Sequence, residues 1–410
     1  MNKKAMAAMG LLGAGALALA GCAGSTSGGG ETDAPAAEGA EIRVWLVGTD
    51  TPQDARDYLI TTFEEENPGS TLVIEEQQWT GLVDLLTTAM SGSDSPDVVE
   101  VGNTQAAAFT SAGAFTDLTA DYEALGGDDL LPGFVEAGTY DGKFYSAPYY
   151  SGSRVVFYNT EMYEKAGVGV PKTLDEYVSN ATALAEATGV SGVWYPGKDW
   201  YNALPFIWEN GGEIAVQDGD TWDAQLSSPE SIAGLEQVKT LMDSSKAPKD
   251  GDETEAWVPF REEQAATLSV PSWAYWSIVA DEDKADTAVT DKLGYFALPG
   301  KDGGVAQVFA GGSNIAIPAA SQHQELAKSA LTIMLSEGYQ SILAENGLVP
   351  ALTSLGDKTA GATPELAATI AEAAADAKLT PASPKWADVE AAQLLQDLFV
   401  QIANGGDIPA

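Results

Sequence analysis

The chain has 410 residues, more than one compact core accommodates, with an ordinary hydrophobic share of 45%, so two domains are expected. Its 60 acidic against 20 basic residues leave a net charge of −40, which repels nucleic acid and anionic lipid headgroups and excludes both as partners. One cysteine, Cys22, and one histidine, His323, cannot build a disulfide, a zinc site or a thiol–imidazole pair.

The first segment is an export signal by its layout. Lys3 and Lys4 precede an apolar run from Ala5 to Ala20 that ends Leu19-Ala20-Gly21-Cys22. A charged start, a short apolar core and small residues at the cut describe residues 1–21 as a secretory signal peptide. Residues 22–40 are small, polar and without apolar periodicity, and read as a flexible tether.

Folded sequence begins at Glu41. Ile42, Val44 and Leu46 alternate as a strand running into Gly48-Thr49-Asp50. A helix follows on the Ala55, Leu59, Ile60 and Phe63 stripe and stops at Asn67-Pro68-Gly69. Leu72 to Ile74 form the next strand, leading to Gln77-Gln78-Trp79. Leu82, Leu85, Leu86 and Met90 then mark a helix. Asp97 to Val99 predict a short buried strand behind Pro96. Glu100, Gly102, Asn103, Thr104 and Gln105 read as a polar turn, and a helix opens at Ala106. Strand–helix alternation predicts a mostly parallel sheet covered on both faces. A polar turn between strand and helix is where such sheets hold ligands. Asn103, Thr104 and Gln105 offer donors and acceptors without a catalytic base or nucleophile among them, which suits a neutral, hydroxyl-rich ligand; helix capping is the plainer role for Asn103 and Thr104.

Gly142 to Tyr158 reads as two extended halves joined by Ser151-Gly152-Ser153, a place where the chain leaves one domain for another. Helices recur at Leu174–Thr188 and Ser228–Asp243, around an aromatic segment holding Trp194, Trp200, Tyr201 and Trp208. Pro271-Ser272-Trp273 follows a strand, and a further strand spans Leu293 to Ala297. Gly311-Gly312-Ser313-Asn314 sits between β-forming flanks as a second crossing, and Gly347-Leu348-Val349-Pro350 as a third.

No catalytic pattern is present. The glycine-rich turn lacks the lysine of a phosphate-binding loop, there is no Gly-x-Ser-x-Gly elbow, and Asp218-Gly219-Asp220 falls short of a calcium loop. No cofactor and no metal are expected. Ten tryptophans are more informative. Trp79, Trp200, Trp273 and Trp386 follow polar or glycine-rich turns, where flat indoles can pack the C–H faces of a sugar ring while amides and carboxylates bond its hydroxyl edge. Core packing is the alternative for each.

Phe63-Glu64-Glu65-Glu66-Asn67-Pro68-Gly69, Pro96-Asp97-Val98-Val99, Ala112-Gly113-Ala114-Phe115, Tyr158-Asn159 and Glu209-Asn210-Gly211-Gly212 together resemble the family-1 extracellular solute-binding proteins, the maltose-binding-protein-like receptors of ABC importers. The run Glu100 to Gln105 is similar to actinobacterial chitobiose-type receptors. The resemblance implies an α/β fold of the two-lobed periplasmic-binding-protein type (type II), with a ligand cleft between the lobes and three hinge crossings. Residues 41–150 plus 312–350 would form lobe 1, and 151–311 plus 351–410 lobe 2. It further implies a ligand site of Thr49, Asp50, Trp79, Asn103 and Thr104 from lobe 1. Tyr150, Ser151, Trp200, Tyr201, Trp273, Trp276 and Trp386 would face them, with Gly312 and Ser313 at the middle crossing. The maltose receptors carry an acidic residue after the position of Tyr150, whereas this chain has Ser151-Gly152-Ser153-Arg154, which speaks against maltose as cargo.

The Leu-Ala-Gly-Cys ending resembles a bacterial lipobox, implying lipidation of Cys22 and a monomer tethered to the outer face of the cell membrane by that anchor alone. The expected function is therefore a non-enzymatic receptor that captures an oligosaccharide and passes it to ABC permease subunits. A receptor for a polyamine or oligopeptide is the alternative, and a lipid-anchored glycosidase the remoter one.

Overall fold

The computed structural model describes residues 39–408, except 93, 220, 281–285, 360–362, 382 and 384. The signal, most of the tether and Cys22 lie outside the described residues.

The strands are β1 (Glu41–Val47), β2 (Thr71–Gln77), β3 (Val98–Gly102), the hairpin β4–β5 (Thr139–Tyr140 and Lys143–Phe144) and the long β6 (Ser146–Asn159). After them come the ribbon β7–β8 (Ala215–Asp218 and Thr221–Ala224), β9 (Thr267–Pro271), β10 (Leu293–Phe296), β11 (Ala310–Ala316) and β12 (Val349–Pro350). β1 pairs in parallel with β2 and β3, as the strand–helix alternation predicts. β11 joins β3 antiparallel, and β6 lies beside β11. The far half of β6, Arg154 to Asn159, pairs with β9 and β10.

Two boundaries differ from the sequence expectation. The strand of Val98 and Val99 continues through Glu100 to Gly102, and the next helix begins at once with Asn103 and runs to Ser111. The expected polar turn is thus the end of a strand and the first turn of a helix, with Gly102 supplying the bend. Gly142 to Tyr158 was expected as two halves; from Ser146 to Asn159 it is one unbroken strand. The small residues at its centre serve a different purpose: they let β11 and β12 approach from both sides.

The three segments expected as crossings lie side by side. Gly312 and Ser313 of β11 pair with Ser151 and Tyr150, and Val349 and Pro350 of β12 pair with the same two residues. Gly312 has φ +138, and a Cβ there would stand 2.2 Å from the Tyr150 carbonyl oxygen. Only glycine fits this contact.

The apolar core is divided along the chain. Two clusters, built on Leu46, Phe63 and Tyr149 and on Trp45, Val99 and Phe109, draw on residues 42–150 and 315–355. The larger remaining clusters, around Trp200, Phe206 and Phe399 and around Phe157, Phe260 and Leu268, draw on residues 155–309 and 366–403. Trp273 packs on members of both groups. Buried aliphatic and aromatic side chains of this size stabilise by about 1.5–3 kcal/mol each.

Gly312→Ala tests the packing of the three paired strands. The added methyl both meets backbone and forces a disfavoured φ, so a loss of about 3 kcal/mol or more is expected in denaturant unfolding. The same change at Gly142, whose Cβ position is open, is expected to cost less than half as much.

Candidate functional site

A cavity of about 620 Å³ opens where these strands end. Its floor is one face of β6. Side chains alternate along a strand, so Tyr150, Gly152 and Arg154 share a face, and all three line the cavity. Ser151 has the opposite parity and spends its hydroxyl on the Gly311 carbonyl at 3.1 Å.

Two indole walls rest on glycine. Trp79 lies over Gly48 and Gly102: Cβ atoms there would come within 3.2 Å of its Nε1 and 3.5 Å of its Cζ3. Trp273 lies over Gly152, where a Cβ would touch the indole at 3.4 Å. Trp257 meets Trp273 edge to face, centroids 5.7 Å apart, and Tyr201 stacks on Phe309 at 4.8 Å. All of these rings line the cavity. Trp79 remains 39% exposed, a large apolar surface with a free face.

Polar groups are fixed between the rings. The Trp79 indole donates to Asp50 Oδ2 at 3.2 Å, and the Tyr150 hydroxyl stands 3.4 Å from the same oxygen. Burial pushes the Asp50 carboxyl above its ordinary range, while these two donors and Arg56 pull it back. Beneath them Glu100, wholly buried, accepts from the Val47 backbone N–H at 2.8 Å, the Tyr150 hydroxyl at 3.0 Å and the Ser313 hydroxyl at 2.6 Å. Burial, aided by the Asp50 charge, pushes Glu100 up to about 7 against those three donors.

Across the floor, Arg154 is buried and donates to Glu253 Oε2 at 2.5 Å, with its guanidinium carbon 5.5 Å from the Tyr201 ring centroid. Asp199, next to this pair, is pushed up to about 7, first by burial and then by the Glu253 charge; Arg154 and Asn202 oppose the rise. Glu390 reaches the cavity from the helix Trp386–Ala391. It is raised by burial and held by hydrogen bonds from Thr104, Trp386 and Gln105. Among the described residues no group of three or more His, Cys, Asp or Glu side chains is arranged to hold a metal.

Of the residues implied by the resemblance, Thr49, Asp50, Trp79, Asn103, Thr104, Tyr150, Tyr201, Trp273 and Gly312 are together in the cavity lining. Asn103 is largely committed to the fold, its Nδ2 donating to the Ala310 carbonyl at 2.7 Å. Ser151, Trp200, Trp276, Ser313 and Trp386 are not in that lining. Trp200 is buried against Tyr201, Phe309 and Trp386. Trp386 is itself buried and bonds Glu390 at 2.9 Å. Trp276 stands on the outside with its Nε1 3.3 Å from the Asn346 carbonyl oxygen, and Ser313 faces Glu100.

The lining also holds Arg154, Glu253, Glu255, Trp257, Phe309, Glu390 and Gln393, which sequence reasoning had not singled out as ligand residues. Glu255 and Gln393 offered no local signal, although both occupy the left-handed region, at φ 53 and 52.

A flat-walled cavity lined with carboxylates and amides, with no nucleophile–base pair, is built to hold a solute. The comparisons agree. The description "Bacterial extracellular solute-binding protein" matches residues 49–341, and the chain belongs to that family, whose members are non-enzymatic receptors. It is 34% identical over 396 residues, 95% of this chain and 91% of the other, to the diacetylchitobiose binding protein DasA of Streptomyces coelicolor. In fold it is similar to the GacH receptor of Streptomyces glaucescens, with a TM-score of 0.76 at 22% identity over 90% of this chain and 95% of that one. It is equally similar to maltose-bound MalE3 of T. maritima, with the same TM-score, identity and coverage. The expected α/β fold of the maltose-binding-protein type is thereby established.

The raised carboxyls have a consequence for stability. A carboxyl whose pKa is higher in the folded chain than in the unfolded one binds its proton more tightly when folded. The stability contributed by Asp199 and Glu100 is therefore complete below about pH 4 and is lost as pH rises through about 7. Thermal unfolding is expected to show a midpoint falling between pH 5.5 and 8. In Asp199→Asn the fall is expected to be shallower, by up to about 1.4 kcal/mol per pH unit.

Proposed function

We propose that this chain is the capture receptor of an ABC sugar importer and that the cavity between Trp79 and Trp273 takes an oligosaccharide. The observation that carries the reading is the pairing of indole walls seated on glycine with fixed carboxylates between them. Ring faces stack on the indoles, while Asp50, Glu253 and Glu390 accept sugar hydroxyls and Gln105 and Arg154 lie among them. DasA, by its name a binder of diacetylchitobiose, supports a sugar as the class. A short chain of N-acetylhexosamine units is the first candidate.

The divided core suggests the moving parts. Residues 41–150 with 312–350, and 151–311 with 351–410, act as two lobes joined where β6, β11 and β12 lie together. Ligand favours the closed arrangement because only there do both lobes bond it. The permease subunits of the transporter read that arrangement. No helix among the described residues is long and apolar enough to cross a membrane, and attachment falls to lipid on Cys22, which raises the receptor's effective concentration near its permease.

Calorimetric titration of the chain lacking residues 1–21 with diacetylchitobiose, maltose and spermidine tests the reading. Saturable binding of at least one sugar is expected, at a Kd of roughly micromolar. Binding of spermidine with no response to either sugar would overturn it in favour of a polyamine receptor. Trp79→Ala is expected to weaken sugar binding by about tenfold or more with little change in thermal midpoint, because the ring is half-exposed. The anchor is checked separately: Cys22→Ser is expected to abolish fatty-acid labelling and release the protein from the membrane fraction.

A further inference from the structure

The cavity has a proton-sharing layer under its floor. Tyr150 has one hydroxyl proton and two carboxylates within reach, Glu100 Oε1 at 3.0 Å and Asp50 Oδ2 at 3.4 Å. Asp50 lines the cavity; Glu100 does not. We propose that Glu100 is a positioning residue for ligand binding: through the Tyr150 hydroxyl it decides whether Asp50 is free to accept a hydroxyl of the ligand. The inference rests on the sugar-binding reading above.

With Glu100 ionised, its oxygens accept from the Val47 N–H, Ser313 and Tyr150, and three donors are what a buried carboxylate needs. Tyr150 has then spent its proton. Asp50 Oδ2 keeps only the Trp79 indole, and a charged, half-buried carboxylate with its open side to the cavity gains from a sugar hydroxyl. With Glu100 protonated, its own O–H is a donor and can bond the Tyr150 oxygen. Tyr150 turns its proton to Asp50, which is then satisfied from within the protein and gains less from the ligand. One proton on a residue that never touches the sugar thus changes how strongly the sugar is held. Trp79 shares the switch, since its indole bonds the same Asp50 oxygen.

The charged and titratable groups around this layer are few. Asp50 faces it from the loop after β1, and Arg56, on the helix Gln53–Glu66, bonds the Gly48 carbonyl and pairs with Glu76 of β2. Tyr149 and Tyr150 face it from β6, and Tyr339 from the helix Glu337–Glu345. Burial drives all three tyrosines upward, so they stay neutral in the working range. Glu100 is the member of the layer positioned to change state near neutrality, consistent with its rise to about 7.

The test is a calorimetric titration with diacetylchitobiose, which is uncharged throughout, from pH 5.5 to 8.5. In the unaltered receptor, affinity is expected to fall about five- to tenfold as pH drops through the neutral region, within the net worth of one hydrogen bond. Glu100→Gln presents an amide N–H to Tyr150 as the protonated acid does, and is expected to bind with the low-pH affinity at every pH. Ser313→Ala removes a donor from Glu100, should move the midpoint upward, and serves where Glu100→Gln does not fold. The Trp79 indole N–H resonance, assigned by Trp79→Phe, gives a readout without ligand: it should titrate with the same midpoint and stop doing so in Glu100→Gln. Sugar binding with a flat pH profile, or a slope that persists in Glu100→Gln, would overturn the role of Glu100 and leave the function reading standing. An indole resonance that titrates unchanged in Glu100→Gln would overturn it whether or not diacetylchitobiose binds.

Discussion

Burying a carboxylate with no basic side chain bonded to it is the constraint around which the centre of this protein is arranged. Desolvation of such a charge costs several kcal/mol unless donors replace the lost water. Glu100 obtains them from three directions: the backbone at the end of β1, a tyrosine of β6 and a serine of β11. Those strands are brought together at the same place, since β11 and β12 both pair with β6 at Tyr150 and Ser151. The carboxylate therefore ties together the elements that carry the cavity floor, and shifting any one of them leaves it short of a bond. The neighbouring hydroxyl chain, Thr51 to Tyr149 at 2.8 Å and Tyr149 to Tyr339 at 2.6 Å, is satisfied internally in the same way and extends the rigid layer away from the cavity.

On that layer the binding surface is made by removing side chains as much as by placing them. Gly48 and Gly102 let Trp79 lie flat at the ends of β1 and β3, and Gly152 does the same for Trp273 on β6. Each indole thereby packs close against backbone while still lining the cavity. The rings are further held by their edges: Trp79 through Asp50, Trp273 by the edge-to-face contact with Trp257. A flat wall held on one face and along an edge loses little freedom when a ligand stacks on it, which is how rigid aromatic surfaces give affinity at low entropic cost.

How far the sequence reveals this site depends on whether a local pattern decides the direction of a side chain. Trp79 and Trp273 were identifiable because each sits beside a strand end, and strand ends gather at one rim of such a sheet. Trp200 and Trp386 have the same polar neighbours in sequence, yet both turn inward and pack on each other at 6.1 Å. Polar neighbours alone do not separate the two pairs; their tertiary packing does. Parity explains Ser151, one residue along from Tyr150 and Gly152 and so on the opposite face, whereas Ser313 pairs with Tyr150 and shares its face but spends its hydroxyl on Glu100. Glu100 was expected in the polar turn with Gly102 and Asn103, although a lone carboxylate among Val98, Val99 and Val101 is a hint of a buried, bonded charge. Arg154 and Glu253 are 99 residues apart, and neither alone signals the other. The fold was more legible than the site, because alternating apolar patterns and element order act locally, while the meeting of an arginine with an acidic loop does not.

The charge of the cavity narrows what it can hold. Asp50, Asp84, Glu253, Glu255 and Glu390 line it against the single guanidinium of Arg154, which is already paired with Glu253. The whole chain adds a field of the same sign. A uronate or sugar phosphate entering would meet carboxylates of its own sign, and like charges placed side by side at an interface cost several kcal/mol. A neutral sugar meets no such repulsion, and its hydroxyls are donors that carboxylates accept. The acidic lining and the indole walls therefore select together, the rings for a flat apolar face and the carboxylates for an edge rich in O–H or N–H groups, and a ligand needs both to be held.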